Sequence, residues 1–416
     1  MRTISMDFLQ LLEASLPTER LALLRAMGQI AHEEGVPLYL VGGAVRDLLL
    51  GRPAEDLDLV VEGDAETLAY IIAKRLSGQV ASRSQFSTAK VKVQGVSLDL
   101  ITARSEHYRQ PGALPQIAHG TINEDLARRD FSINAMAFPL HLEATGQLLD
   151  PFGGQTDLQR GLIRVLHEKS FVDDATRIMR AVRYEQRLGF QLEDDTETLL
   201  RRDLPMLDTI SGDRLRKEIQ LWLKEEHCVS TLVRADQLGV MAAIHPSLAG
   251  SGQVVGRAVG SAGKRGLEEQ VYLGLLAYAV TPIQGEQLID RLRMSSRWAS
   301  VVRDTIALKG KLLLLSDTNL SPARLYEALA PSTPAAVQAC ALATPHEEAR
   351  RNLTLFLEKL RHVKPSLGGR DLIELGVPQG PAIGEMLVRL RSARLEEAVT
   401  SRAEEVEMVK GWLATP

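Results

Sequence analysis

Residues 40–62 read LVGGAVRDLLLGRPAEDLDLVVE, and this stretch constrains the fold more than any other. An apolar run ends in Gly42 and Gly43, a helix-like piece carrying Arg46 follows, and Asp56 and Asp58 then lead into LVV. Side chains alternate along a strand, so two aspartates two residues apart share one face. Carboxylates so placed suit hard, oxygen-seeking cations such as Mg²⁺, which also hold a triphosphate.

The chain has 416 residues, 45% hydrophobic and 25% charged, as expected of a globular protein with two to four structural units. No apolar run reaches the roughly 18 residues of a membrane span. The opening MRTISMDFLQLLEA mixes acidic with apolar residues and makes a poor signal peptide. The expectation is a cytoplasmic protein without a membrane partner. Cys228 and Cys340 lie far apart without metal-ligand spacing and are expected to be unpaired thiols. The net charge of −4 disfavours a nucleic-acid partner unless cations cluster. Between 291 and 311 they do: Arg291, Arg293, Arg297, Arg303, Lys309 and Lys311 stand against Asp304 alone. Such a run is either a solvated helix face or a grip on RNA.

Along the chain, 7–34 reads as helical, 38–41 as a strand, 56–61 as a strand and 65–76 as an apolar-periodic helix. Residues 89–93 and 96–103 alternate around Gln94 and Gly95, a hairpin signature. Residues 133–140 and 148–152 read as extended. From 172 onward helical periods dominate, with breaks at 211–212, 248–266 and 366–369, and no tandem repeat is evident. The fold class is therefore α+β. A head with a small mixed sheet covers 1–155, a helical neck 156–225, and an all-α body and tail 226–416.

Gly42 and Gly43 let a phosphate approach the backbone, a helix start favours anions, and Arg46 sits one turn in. Simple turn chemistry would explain the glycines alone. Asp99 lies between Leu98 and Leu100 in the second hairpin strand and projects opposite to them. If that strand neighbours the Asp56 strand, three carboxylates converge, and two metal ions there would activate a 3′-hydroxyl and neutralise a leaving pyrophosphate. Otherwise these are solvated strand-edge aspartates.

The run LVGGAVRD…GRPAEDLDLVV is followed by EDLARRDFSINAMA (124–137), LLDPFGGQTDLQRGLIRVL (148–166) and DDATRIMRAVRY (173–184). In sequence and order these motifs resemble the class II tRNA nucleotidyltransferases and bacterial poly(A) polymerases, within the polymerase-β-like nucleotidyltransferases. The likeness is strong over 36–218 and weaker beyond, through RADQLGVMAAIHPSL and GGRDLIELGVPQGPAIGEML. It implies that Asp56 and Asp58 bind the metals with Asp99 as third carboxylate. It also implies that Gly42, Gly43 and Arg46 hold the triphosphate and that Arg129, Asp130 and Asn134 lie at the nucleotide and its sugar. Asp174, Arg177, Arg180 and Arg183 complete the nucleotide site. The family usually has Glu-Asp where this chain has Asp173 and Asp174, so the selecting aspartate is kept while the helix cap can differ.

On a helix Asp174 and Arg177, three apart, would share one face. A carboxylate accepts from an exocyclic amine, and a guanidinium donates to a ring nitrogen or carbonyl. CTP and ATP present an amine beside an acceptor, whereas GTP and UTP present a ring N–H beside a carbonyl. One Asp/Arg pair can thus accept C and A and reject G and U without a template, because a wrong base leaves buried polar groups unpaired. An ordinary i,i+3 ion pair is the alternative. Arg214 and Glu218, four apart, are expected to buttress this helix, and His245 to cap or pack.

The resemblance implies a Mg²⁺-dependent enzyme, monomeric or homodimeric, that adds CCA to the 3′ end of tRNA from CTP and ATP. Its basic run and C-terminal helices would hold tRNA by shape and phosphates. The loop 104–124 is mobile by composition, and in the family it is associated with adding the terminal A. An A-adding enzyme partnered by a separate CC-adding one would carry the same motifs. A poly(A) polymerase would too, although its basic GRRF-like stretch is replaced here by SRSQFSTAKV. A non-catalytic RNA-binding homologue would have no reason to keep the Asp56/Asp58 pair.

Overall fold

The computed structural model describes residues 8–54, 56–84, 88–107, 115–140, 147–262 and 266–414. The chain divides after Ile210 into two compact units. The first begins with helices α1 (Phe8–Ser15) and α2 (Thr18–Glu33), which are separated at Pro17. Proline cannot donate into a helix interior but is tolerated just ahead of a first turn, so one expected helix becomes two. Strand β1 (Leu38–Val41), helix α3 (Gly43–Leu49), strand β2 (Asp58–Val61) and helix α4 (Ala65–Arg75) follow. Next come β3 (Gln79–Ser84), β4 (Thr88–Val93) and β5 (Val96–Thr102). Gln94 and Gly95, with φ of 48° and 87°, form the two-residue turn that matches strand twist and closes the expected hairpin.

Beyond it lie β6 (Arg104–His107), β7 (Gln116–His119), α5 (Ile122–Ala127), a 3-10 turn at Ser132–Asn134 and β8 (Ala137–Pro139). The unit ends with α6 (Gly154–Arg160), β9 (Leu162–Ile163), α7 (Ser170–Asp173), α8 (Thr176–Leu188), β10 (Gln191–Leu192) and α9 (Asp194–Asp203). Six strands form one mixed sheet in the order β3-β4-β5-β2-β1-β8, with β2 and β5 parallel. Helix α4 packs on β3, β4 and β5 through the buried Leu68 and Ile72. Ile122 and Leu126 of α5 join Val41, Val60, Ala103 and Ala137 in another apolar cluster. The sheet thus has apolar cover, and the mixed head expected from the sequence is what forms.

Within the loop expected over 104–124, β6 and β7 pair as an antiparallel ribbon, Arg104 opposite His119. Residues 108–114 of this loop lie outside the described residues.

From 211 onward the described residues are helical with short 3-10 turns. The break expected over 248–266 contains a helix at Ser251–Ala262. Its glycines at 252 and 256 permit close packing on the helix Cys228–Gln237: a Cβ at Gly252 would collide with Leu232 O. His245 caps a 3-10 turn, its Nδ1 accepting from Ser247 N at 3.2 Å. Cys228 and Cys340 are unpaired and buried, and burial pushes each thiol up to about 12. Among the described residues no helix is long and apolar enough to cross a membrane.

Candidate active site

On the parallel pair β2/β5, Asp58 is the register partner of Asp99. Their neighbours Leu59 and Leu100 are fully buried, so both carboxylates stand on the face away from that core. Asp56 lies in a bend before β2, although burial still alternates, with Asp56 and Asp58 exposed and Leu57 buried. The strand expected from 56 begins at Asp58. Its antiparallel neighbour β1 ends at Val41, and Gly42 turns the chain away with φ of 68°. Asp99 receives an ion pair at 3.2 Å from Lys90, its cross-strand partner on β4.

Asp58 has its carboxyl raised above the usual range. Desolvation by the surrounding protein is the largest cause, Arg129 opposes it, and the charges of Asp99 and Asp56 add to it. Among the described residues no three carboxylate, imidazole or thiol groups stand close enough to chelate an ion as placed. The expected trio is therefore a facing pair with Asp56 alongside. A carboxyl raised in part by two neighbouring carboxylates is a donor set that a divalent cation relieves, so the residues fit such an ion.

Arg129 joins this edge to a buried polar network. The φ of 68° favours glycine at 42, and a Cβ there would displace Arg129 Nη1. Arg129 Nη1 donates to Asn134 O at 3.4 Å and its Nη2 to Asp125 Oδ2 at 2.9 Å. Arg46, only 3% exposed, donates to Asn134 Oδ1 at 2.6 Å and to Asp47 through Nε and Nη2. Asn134 Nδ2 donates to Asp130 Oδ1 at 2.9 Å, and Asp130 Oδ2 accepts from Arg180 Nε and Nη2 at 2.8 and 2.6 Å. Burial would raise the Asp130 carboxyl, but Arg180, Asn134 and Arg177 hold it below the usual range. Arg46, Arg180 and Arg183 place their guanidiniums 5.2, 5.5 and 5.1 Å from the centroid of Tyr184, a ring that Phe131 meets edge-on at 5.8 Å. Three guanidiniums thus gather at one ring, Arg46 and Arg183 almost wholly buried, with Arg46 paired to Asp47 and Arg180 to Asp130.

Asp174 and Arg177, expected on one helix, are divided by a helix start. Helix α7 ends at Asp173, Asp174 is extended, and α8 begins at Thr176. Asp174 Oδ1 accepts from Thr176 N at 3.0 Å and Oγ1 at 2.7 Å. A short acceptor that binds the backbone two residues on stops one helix and starts the next, so Asp174 and Arg177 are not i,i+3 helix neighbours. They remain adjacent through Arg177 N, which donates to Asp174 O at 3.0 Å. Arg177, 5% exposed, donates from Nη1 to Ser170 Oγ at 2.7 Å and from Nη2 to Arg128 O at 2.6 Å. Its plane is fixed before any ligand arrives.

Residues 38–164 match the poly A polymerase head domain, and 189–250 match the probable RNA and SrmB-binding site of polymerase A. The chain is 33% identical to the A-adding tRNA nucleotidyltransferase of Halalkalibacterium halodurans, over 97% of this chain and 95% of that protein. It is 30% identical to the CCA-adding enzyme of Geobacillus stearothermophilus, over 92% and 94%. This chain belongs to the tRNA nucleotidyltransferases. Against the A-adding tRNA nucleotidyltransferase of Geobacter sulfurreducens it is 34% identical over 97% of its own length but spans only 48% of that protein. Its fold superposes on a CCA-adding enzyme in an apo form with a TM-score of 0.83, 31% identity and 99% of both chains covered. For the Thermotoga maritima CCA-adding enzyme complexed with tRNA the TM-score is 0.79, at 30% identity over 98% of this chain and 99% of that one.

Within this tRNA nucleotidyltransferase head, the structure draws Gly42, Arg46, Arg129, Asp130, Asn134, Arg180 and Arg183 into one network, with Arg177 bonded to the Arg128 carbonyl. Gly43 opens α3. Sequence reading missed Asp125, Tyr184, Lys90 and Ser170. Asp125 was findable, since Arg128 and Arg129 follow it at i+3 and i+4, and Tyr184 follows Arg180 at i+4. Lys90 and Ser170 carry no local signal, because only strand register and a helix break bring them to Asp99 and Arg177.

Proposed function

We propose that this protein is a template-independent tRNA nucleotidyltransferase that uses CTP and ATP to build or finish the 3′-terminal CCA of tRNA, releasing pyrophosphate. One observation carries the reading: facing acidic strands connect through Arg129 to a buried arginine network that also fixes Arg177. Asp56, Asp58 and Asp99 would hold divalent cations, Mg²⁺ by ligand preference. Ions held there supply the charge that activates the attacking 3′-hydroxyl and stabilises the leaving pyrophosphate. Gly42, Gly43, Arg46, Arg180 and Arg183 hold the triphosphate, while Arg129, Asp130 and Asn134 orient the nucleotide and its sugar. Asp174 accepts from the amine of C or A, and Arg177 donates to the adjacent acceptor. The helical unit holds tRNA through phosphates and shape.

The test offers three tRNAs, ending before CCA, after one C and after both, with CTP and ATP separately and together. Extension of all three to CCA supports the reading. A second reading, an enzyme restricted to the terminal A, is favoured by the A-adding relatives at 33% and 34% identity over 97% of this chain. It predicts extension only of the tRNA already ending in CC. Long A tails on an unrelated RNA would contradict both.

A further inference from the structure

Asp125 sits on α5, a helix fixed independently of the site. Thr121 and Glu124 form a capping box at its start, and the Glu62 carboxylate accepts from Ile122 N. Ile122 and Leu126 anchor it in the apolar cluster under the sheet. The Asp125 side chain is wholly buried, and each oxygen serves a different arginine. Oδ1 accepts from Arg128 Nε at 3.0 Å and Nη2 at 2.6 Å. Oδ2 accepts from Arg129 Nε at 3.3 Å and Nη2 at 2.9 Å. An i,i+4 ion pair kept only for helix stability lies at the surface, where desolvation costs nothing. Burying a carboxylate costs several kcal/mol that pairing must offset, and the division of Asp125 between two guanidiniums points to a geometric task.

The two arginines lead in different directions. Arg129 lies against Gly42, donates to Asn134 O, and acts electrostatically on Asp58. Arg128 passes Nη1 to Glu106 Oε1 at 3.1 Å, and its backbone carbonyl, at the C-cap of α5, accepts from Arg177 Nη2. One carboxylate therefore stands behind both the cation edge and the base-reading guanidinium.

We propose that Asp125 is a positioning residue that couples the two halves of the nucleotide site, holding Arg129 at the Gly42 turn with one oxygen and Arg128, whose carbonyl fixes Arg177, with the other. The inference rests on the reading of this site given above. The side chain need not touch substrate. It sets where two groups stand that do, and misplacement by an ångström is costly in catalysis.

The experiment measures kcat and KM for CTP and ATP, and misincorporation of UTP and GTP, on full-length wild type, Asp125→Asn, Asp125→Glu, Arg129→Gln and the double variant Asp125→Asn/Arg129→Gln. Asparagine keeps the shape but turns an N–H toward a guanidinium. The expected result for Asp125→Asn is a rise in KM of about tenfold or more, with selectivity for C and A over U and G reduced at least about fivefold. Added to Arg129→Gln, it should raise KM less than about twofold further while still lowering selectivity, because that effect runs through Arg128 and Arg177. Asp125→Glu, which keeps the charge and moves it, should show the same changes in smaller degree and keeps the test open if Asp125→Asn does not fold. Folded variants with wild-type KM and selectivity, or with kcat alone reduced, would overturn the coupling. A wild type that incorporates none of the four nucleotides would overturn the reading of the site and the coupling with it.

Discussion

The two units of this chain bury charge for different ends. In the first, Arg46, Arg177, Arg183, Asp125 and Asp130 are all nearly inaccessible, and Arg46, Asp130 and Asp125 connect through Asn134, Arg129 and Arg180. In the second, the wholly buried acid Glu405 accepts from the backbone N–H groups of Ser366 and Leu367 at 2.9 Å and pairs with Arg394, which closes a turn. One core cluster of the second unit, around Leu308, Leu325, Leu353 and Phe356, is apolar, and the unit also buries Glu218, Thr231, Ser251, Thr305 and Thr344. Its basic run is largely surface chemistry: Arg303 pairs with Glu286 at 2.6 Å and Arg293 with Asp213 at 3.1 Å, every one of these side chains about half exposed or more. Burying an ion costs several kcal/mol before pairing, whereas an exposed pair contributes about 0–1 kcal/mol. A network of buried charges marks the unit where geometry must be held for chemistry. On the proposed function, the unit with surface cations is the one that would meet the tRNA phosphates.

The sharpest way to break this contrast is Asp58→Ala or Asp56→Ala. Each should reduce incorporation by roughly three orders of magnitude or more while tRNA affinity in a gel-shift assay stays within about twofold. Near wild-type turnover would remove the metal edge from the account. Gly42→Ala should raise nucleotide KM by roughly ten- to a hundredfold, because the added Cβ both strains the φ of 68° and displaces Arg129. An unchanged KM would mean that Arg129 has no positional task.

In protein freed of divalent ions, Asp58→Asn should melt higher than wild type at neutral pH. The folded Asp58 carboxyl is raised, so its ionised form opposes folding above that value. The advantage should vanish as pH falls below the ordinary carboxylate range, where both states hold the proton. An Asp58→Asn protein that melts lower at neutral pH would contradict this sign. The smallest effect belongs to the second unit. Lys309, over the Tyr278 ring at 5.8 Å, lies in the basic run. Lys309→Ala should weaken tRNA binding only a few-fold and flatten the log–log salt dependence by about 0.7–0.9, leaving nucleotide KM alone. A change in nucleotide KM would blur the division of labour.

Much of the head was legible because its signals are local. The strand at Leu38–Val41, the two-residue turn at Gln94 and Gly95, and the alternation around Asp99 follow from apolar period and turn chemistry. The pairing of Asp58 with Asp99 is not legible in the sequence, since no local pattern fixes which strands become neighbours. That Asp174 and Arg177 do not share one helix has a definite reason. The periodicity is helical on both sides, but Asp174 takes the Thr176 N–H and breaks the helix, and a competing side-chain acceptor is invisible to a hydrophobic period. The glycines after Leu248 read as a break because glycine is a poor helix former, yet at Gly252 close contact with Leu232 outweighs propensity. Asp125 was overlooked because its i+3 and i+4 arginines look like ordinary surface pairing until burial is known.

On the proposed function, this arrangement of protein side chains selects the base without a template. That selection is tested most directly by offering all four nucleoside triphosphates singly to wild type and to Asp174→Ala, with tRNA lacking its CCA end and tRNA ending in CC. Wild type should incorporate C or A and essentially no G or U. Asp174→Ala should be slower and should lose selectivity by roughly ten- to a hundredfold, since the wrong bases no longer leave a carboxylate unpaired. A uniform loss of rate with the wild-type order of nucleotides intact would contradict the account and leave Asp174 as a helix cap alone.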